Sequence, residues 1–262
     1  MSMVKSVNLK LDGPSPGLVV VTGGSRGIGA AVASRIARLG HHVLINYAES
    51  REAAEKLTRR IHSADGSVSL CKADIGSEEG VMRLFAAADA IGAPLAGLVN
   101  NAGVSGGFSR LEDLSGSVLH HVLAVNVVGA MLCAREAVRR MSTKRGKLGG
   151  TIVNVSSIAA KLGSAGEWIH YAASKGAIDT LTIGLAREVA AEGIRVNAVA
   201  PGLIDTDFHA AAGAPDRLGQ MAPDIPMARA GTPEEVADAI LWLMSEQASY
   251  VTGAIVPVGG GR

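Results

Sequence analysis

The chain has 262 residues, 25 Lys and Arg against 24 Asp and Glu, 48% hydrophobic residues and only 3% aromatic residues. That length holds one large α/β domain or two small ones, with an extensive core in either case. A formal charge of +1 excludes the basic excess of a phosphate-tracking surface, and the apolar content excludes a disordered chain, so no nucleic-acid partner is expected.

Cys71 and Cys133 stand far apart, outside any Cys-x-x-Cys pattern and with no nearby His partner, so they read as buried small residues and not as a disulfide or a zinc site. Met1 to Gly17 contains two lysines and no apolar segment of the signal-peptide kind. No apolar run is expected to reach the roughly 18 residues of a membrane span. The default expectation is a cytoplasmic protein without a membrane partner.

In chain order, residues 1–16, with Pro14 and Pro16, read as a flexible N-terminal extension, and residues 17–262 as a single domain. Leu18 to Val21 is a short buried strand. Ile28 to Leu39 places Ile28, Val32, Ile36 and Leu39 on one helical stripe, and Val43 to Ile45 is strand-like again. The rhythm then repeats. It gives a helix over Glu49 to Ser63, a strand at Val68 to Lys72, a helix over Ser77 to Ala90 and a strand at Ala96 to Asn100. A long helical zone from Ser117 to Met141 follows, then a strand at Thr151 to Val155, a helix from Tyr171 to Ala191 and a strand at Arg195 to Ala200. A helix at Pro233 to Met244 and a strand at Ala254 to Val258 close the pattern. Nearly all-apolar strands separated by helices predict an α/β fold, a doubly wound parallel sheet with helices on both faces. The irregular stretch from Leu203 to Gly231 is expected to be a lid, because ligands of such sheets sit beyond the carboxyl ends of the strands.

Between the first strand and the first helix lies Thr22-Gly23-Gly24-Ser25-Arg26-Gly27-Ile28-Gly29. Glycines there let the backbone turn tightly and bring its N–H groups to a pyrophosphate, which the positive end of the helix stabilises. The dinucleotide fingerprint calls for an acid about 20 residues further on to hold the ribose of NAD. This chain has the neutral pair Asn46-Tyr47 instead, and Arg26 is placed to pair with a 2′-phosphate, so NADP is expected over NAD, with NAD still possible. Arg51 reads as a solvated surface charge.

Tyr171 and Lys175 are four residues apart, on one face if the segment is helical. An ammonium near a phenol stabilises the phenolate, as a general acid/base requires, so the lysine is expected to lower the phenol's pKa. Ser157 follows the strand ending at Val155, at the edge where ligands bind, with Ser156 as an adjacent alternative. Glu167, Trp168, His170, His209 and Met221 are candidates to line a substrate pocket. Among them, His170 is expected to be a solvated residue at a helix start and His209 an exposed one. No His spacing supports a catalytic metal.

Taken together, Thr22-Gly-x-x-x-Gly-x-Gly29, Asn100-Asn101-Ala102-Gly103, Asn126, Ser157, Tyr171-x-x-x-Lys175 and Pro201-Gly202 resemble the short-chain dehydrogenase/reductases. The resemblance extends from about Gly17 to the end, and is closest to bacterial glucose-dehydrogenase-like and 3-oxoacyl-carrier-protein-reductase-like members. It implies a Rossmann-type domain, a nicotinamide dinucleotide and hydride transfer between a secondary alcohol and a ketone. In its terms Tyr171 is the acid/base, Lys175 tunes it and binds the nicotinamide ribose, Ser157 bonds the reacting oxygen, and Asn126 holds a water in a proton relay. Asn126 read by itself is equally a buried amide tied to backbone. The resemblance adds Gly23, Ser25, Gly27, Ile28, Gly29, Asp74, Ile75, Asn101, Ala102, Gly103, Pro201, Gly202, Ile204 and Thr206 to the cofactor contacts, and implies a homotetramer. Ser157 stands one residue further from Tyr171 than is common in the family. The other readings are an NAD-linked sugar or polyol dehydrogenase and a catalytically silent dinucleotide-binding scaffold.

Overall fold

The computed structural model describes residues 9–262. Seven parallel strands form one sheet in the order β3-β2-β1-β4-β5-β6-β7. They are β1 Leu18–Val21, β2 His42–Tyr47, β3 Val68–Lys72, β4 Leu95–Asn100, β5 Gly150–Val155, β6 Ile194–Pro201 and β7 Ile255–Val258. β1, β4, β5 and β6 are buried along their whole length. A strand covered on both faces has no polar side, which is why these segments read as apolar runs and not as alternating patterns.

Two layers of helix do the covering. Helices α1 (Gly27–Arg38) and α2 (Arg51–His62) lie on one face. There Val32, Ile36 and Leu57 pack in one cluster with Val19, Val43, Val236 and Ile240. Helix α3 (Glu78–Ile91) and the rod formed by α4 (Gly116–Leu123), a π-helical turn at Ala124–Gly129 and α5 (Ala130–Met141) lie on the other. On that side Leu84, Phe85, Cys133 and Met141 pack with Val20, Leu98 and Ile152. Helix α6 (Ala159–Leu162) and the long α7 (Ile169–Val189) follow β5. Short helices α8 (Phe208–Ala211) and α9 (Arg217–Met221) sit between β6 and α10 (Pro233–Met244). Helix α10 opens on a capping box, Thr232 with Glu235, and its register matches the sequence expectation.

The sheet confirms the expected doubly wound fold, and the differences from the sequence reading are local. β2 runs on through Asn46 and Tyr47, because the flanking β3 pairs them with Cys71 and Lys72. The helical rod from Gly116 to Met141 has a mean hydropathy of 1.7 over an 18-residue window, long and apolar enough to cross a bilayer, contrary to the expectation that no such run exists. Its Val122, Val125, Cys133, Ala137 and Met141 are buried against the protein. Cys71 and Cys133 are free and buried, as expected.

Met1 to Asn8 of the expected flexible extension lie outside the described residues, whereas residues 9–16 are built into the domain. Leu11 is 2% exposed and bridges to Ser245. Asp12 accepts a 2.9 Å bond from Arg195, whose other donors reach the carbonyls of Leu243, Ser245 and Val251. One guanidinium thus ties this segment, β6 and the end of α10 together. Arg195→Met would leave the carbonyls of Leu243 and Ser245 without this buried donor, while the partly exposed Asp12 turns to water, and is expected to lower the unfolding free energy in urea by about 2 kcal/mol.

Candidate active site

A cleft of about 1020 Å³ runs along the carboxyl ends of the strands, across the point between β1 and β4 where strand order reverses. At its lower end the glycine loop is held by Thr22, whose Oγ1 accepts bonds from the N–H groups of Asn101 (3.0 Å) and Ala102 (3.1 Å). Gly23 has φ +58, and a Cβ on it would stand 2.8 Å from the Ala102 Cα, so a side chain cannot enter between the two loops. The first turn of α1 carries no acidic residue, and no side chain caps it. Its N–H groups therefore present a positive end to the cleft, with Arg26 exposed beside them.

Every residue expected to touch a dinucleotide lines this cleft except Gly29, which packs beneath it against Asn101 and the Gly23 carbonyl. Asn46 is fully engaged in the wall. Its Nδ2 donates to the Ala73 carbonyl (2.8 Å) and its Oδ1 accepts from the Gly23 N–H (3.4 Å). Asp74 folds back on the Gly76 N–H at 2.9 Å. Arg51 is paired with Glu55 on the surface of α2, as its solvated reading implied. The glycine cradle, the uncapped helix end and the neutral Asn46 fit the pyrophosphate and ribose of a nicotinamide dinucleotide.

At the cleft's centre, α7 places Tyr171 and Lys175 on one face, 8% and 4% exposed. Lys175 Nζ donates to the Val155 carbonyl at the end of β5 (2.7 Å) and lies 5.7 Å from the centre of the Tyr171 ring. The Ser157 hydroxyl accepts from the Ala159 N–H at 3.1 Å and lies near enough to the Tyr171 phenol to favour its ionised form. Ser156 points away, donating to Asp179 (2.6 Å) and the Lys175 carbonyl (3.2 Å). Of the two serines, Ser156 is engaged by α7, while Ser157 is the one beside the Tyr171 phenol.

Burial pushes the Tyr171 phenol up to about 12, with Ser157 acting against it. Contrary to the expected lowering, Lys175 is not among the influences on the phenol, and burial sets the direction of its shift. Burial likewise brings Lys175 down to about 8, with Asp179 opposing. Asn126 lies in the π-helical turn, donates to the Val104 carbonyl and to Ser174 Oγ, and accepts from the Val104 N–H. Its amide is thus held by the Val104 backbone and the Ser174 hydroxyl.

The upper end corrects both histidine expectations. His170 is 3% exposed, with Nε2 2.8 Å from the Ser105 carbonyl, and does not line the cleft. His209 is 9% exposed and does line it, since the folded 203–231 segment covers it. Glu167 and Trp168 line the cleft and Met221 does not. Phe208 and Arg217, which the sequence reading passed over, complete the wall. Arg217 donates twice to Glu167 (2.9 and 2.7 Å), fastening α9 to the turn before α7. Their one signal in the sequence is the scarcity of aromatic residues, which makes a Phe beside a His in an irregular segment conspicuous.

Residues 23–262 match the family model described as enoyl-(acyl carrier protein) reductase. The uncharacterized oxidoreductase YgfF of Escherichia coli (strain K12) is 51% identical over 94% of this chain and 99% of its own length. Glucose 1-dehydrogenase 2 of Bacillus subtilis (strain 168) is 36% identical over 92% and 93% of the two chains. A solved short-chain dehydrogenase/reductase from Serratia marcescens superposes with a TM-score of 0.86 at 35% identity, covering 94% of this chain and 97% of that one.

The chain belongs to the short-chain dehydrogenase/reductase family. It is an NAD(P)-dependent oxidoreductase with a small-molecule substrate.

The buried lysine of this oxidoreductase also sets a pH signature. Its folded pKa lies below the ordinary lysine value, so between about pH 8 and 10.5 the unfolded chain binds more protons, and stability rises with pH across that window. Relative to Lys175→Met, the wild-type unfolding free energy is expected to gain on the order of 2 kcal/mol between pH 7.5 and 9.5 in urea titrations. A parallel pair of curves would show that the ammonium is not desolvated.

Proposed function

We propose that this oxidoreductase prefers NADP(H) and interconverts a secondary alcohol and a ketone. One observation carries the reading. The Ser157–Tyr171–Lys175 group stands in the same cleft as the glycine cradle, with a neutral Asn46 and an exposed Arg26 at the ribose end. When bound, the nicotinamide supplies or takes the hydride.

The chain's own part is the proton. A phenol held near 12 is protonated at neutral pH, so in reduction Tyr171 is ready to donate to the carbonyl oxygen, which the Ser157 hydroxyl also bonds. The Lys175 ammonium then offsets the charge left on the phenol oxygen, and in oxidation the same groups run in reverse. Asn126 is placed behind them for proton resupply through a held water. A Cβ on Gly103 would lie 3.3 Å from Lys175 Nζ and 3.4 Å from Asn126 Oδ1, so the two converge on one point. The 203–231 segment acts as the lid over the reacting atoms.

Tyr171→Phe is expected to cut NADPH oxidation across a carbonyl panel at least about a hundredfold with an unchanged thermal midpoint. Unchanged turnover by the folded variant would end the mechanistic reading. In the same preparations NADPH is expected to bind at least about tenfold tighter than NADH, or 1.4 kcal/mol. One feature favours a second reading, NAD-linked alcohol or sugar oxidation: Glu49 is exposed on the wall of the ribose end. A tenfold preference for NADH would select it.

We further propose a cytoplasmic homotetramer. The two free, buried cysteines suit a reducing compartment, and recovery in a secreted fraction would contradict it. Val128, Met131 and Ile183 are large apolar residues left exposed on the helical layer, and Tyr250 is fully exposed before the edge strand β7. Light scattering should give about four times the 26.7 kDa chain mass, and Met131→Glu or Tyr250→Asp should lower it. A monomer at micromolar concentration would refute the assembly.

A further inference from the structure

The chain holds two Trp, three Tyr and three Phe, and four of these eight rings meet at the upper end of the cleft. Trp168 stacks on Phe108 at 4.5 Å between ring centres, and lies 5.6 Å from Tyr171 and 6.2 Å from Phe208. Phe208 is in turn 5.6 Å from Tyr171. The rest of the core is overwhelmingly aliphatic. The ring-lined wall therefore stands beside the acid/base rather than serving general packing. Such a wall gains from a compact hydrocarbon ring. An open-chain polyol laid on it would lose hydration at several hydroxyls with nothing to replace it.

Two polar atoms interrupt the apolar surface. His209 Nδ1 and Arg217 Nε are buried and have no hydrogen-bond partner among the described residues. The Arg217 guanidinium lies 5.0 Å from the Trp168 ring centre, and the His209 ring 6.2 Å from it. Both atoms thus sit next to the aromatic wall. An arginine Nε–H only donates, and a neutral imidazole can donate from Nδ1, so the pair calls for an acceptor on the ligand. Burial, then the neighbouring Arg217, hold the His209 imidazole below the usual range, which leaves it neutral at pH 7. The two terminal nitrogens of Arg217 are taken by Glu167, whose carboxylate matches the guanidinium charge and repels a second carboxylate.

Resting on the alcohol–ketone reading above, we propose that the substrate is an uncharged cyclic ketone, or the corresponding alcohol, that carries a second oxygen away from the reacting carbonyl. Its ring lies against Trp168 and Phe208, and its second oxygen accepts from His209 and Arg217.

The test uses the full-length enzyme with cyclohexane-1,4-dione and decalin-2,6-dione, each against its matched monoketone, together with dihydroxyacetone and 4-oxocyclohexanecarboxylate. In Trp242→Phe, Trp168 is the sole tryptophan, and its fluorescence reports binding with and without NADP⁺. A dione is expected to quench at least tenfold more tightly than its monoketone, the carboxylate and dihydroxyacetone, with the same order in kcat/KM with NADPH. His209→Leu is expected to shrink the dione advantage below threefold, mainly through KM. Equal binding of dihydroxyacetone and the diones, or an advantage that survives in a folded His209→Leu, would overturn the proposal. Dione quenching without oxidation of NADPH or NADH by any carbonyl would instead bring down the alcohol–ketone reading and leave the subsite standing.

Discussion

The bond from the Lys175 ammonium to the Val155 carbonyl couples the chemistry of this protein to its fold. It joins a helix to the carboxyl end of a central strand, and it fixes a charge in a place where water is excluded. A desolvated ammonium is costly unless a partner is supplied. Here the strand's last carbonyl supplies it, and Asp179, one turn further along α7, supports the charged form. The same bond sets the rotation of α7, so Tyr171 is presented one turn earlier on the same face. Ser157 reaches that phenol because β5 ends two residues before it.

The remainder of the cleft follows from parallel strands ending at one edge. Loops after β1, β4, β5 and β6 all emerge there, and the reversal of strand order between β1 and β4 opens the space between them. Packing between loops then demands small residues. Thr22 draws the β4 loop inward by its two accepted bonds, and the resulting contact at Ala102 leaves no room for a side chain at Gly23. The cradle is thus a consequence of close backbone approach, and Asn46 contributes by bracing it rather than by projecting into the cleft.

The two ends of the cleft differ in how they are built. The glycine-loop end is mostly backbone and small side chains, whereas the other end is rings and one ion pair drawn from α7, the turn before it and the short helices α8 and α9. Glu167 and Arg217 hold these helices against the start of α7, with Arg217 stacked over Phe108 and Trp168. A bidentate pair whose guanidinium is largely buried against aromatic faces is among the stronger ways to anchor an otherwise irregular segment.

Strand runs, helical stripes and the glycine loop were legible in the sequence because each is a local pattern, set by short continuous apolar runs, by the 3.6-residue period or by the demands of a tight turn. So were Tyr171 and Lys175, whose spacing on a helix places them together without any tertiary contact. The burial of His170 and His209, the placing of Ser157 rather than Ser156 beside the phenol, the direction of the Tyr171 shift and the partnership of Arg217 with Glu167 were not. Each depends on which distant segment covers a residue, and desolvation, the first influence on Tyr171, Lys175 and His209, has no local signature in the chain. The sequence alone therefore determined the fold class and the residues able to do acid/base chemistry. Only the tertiary structure decided their protonation and the character of the wall they face.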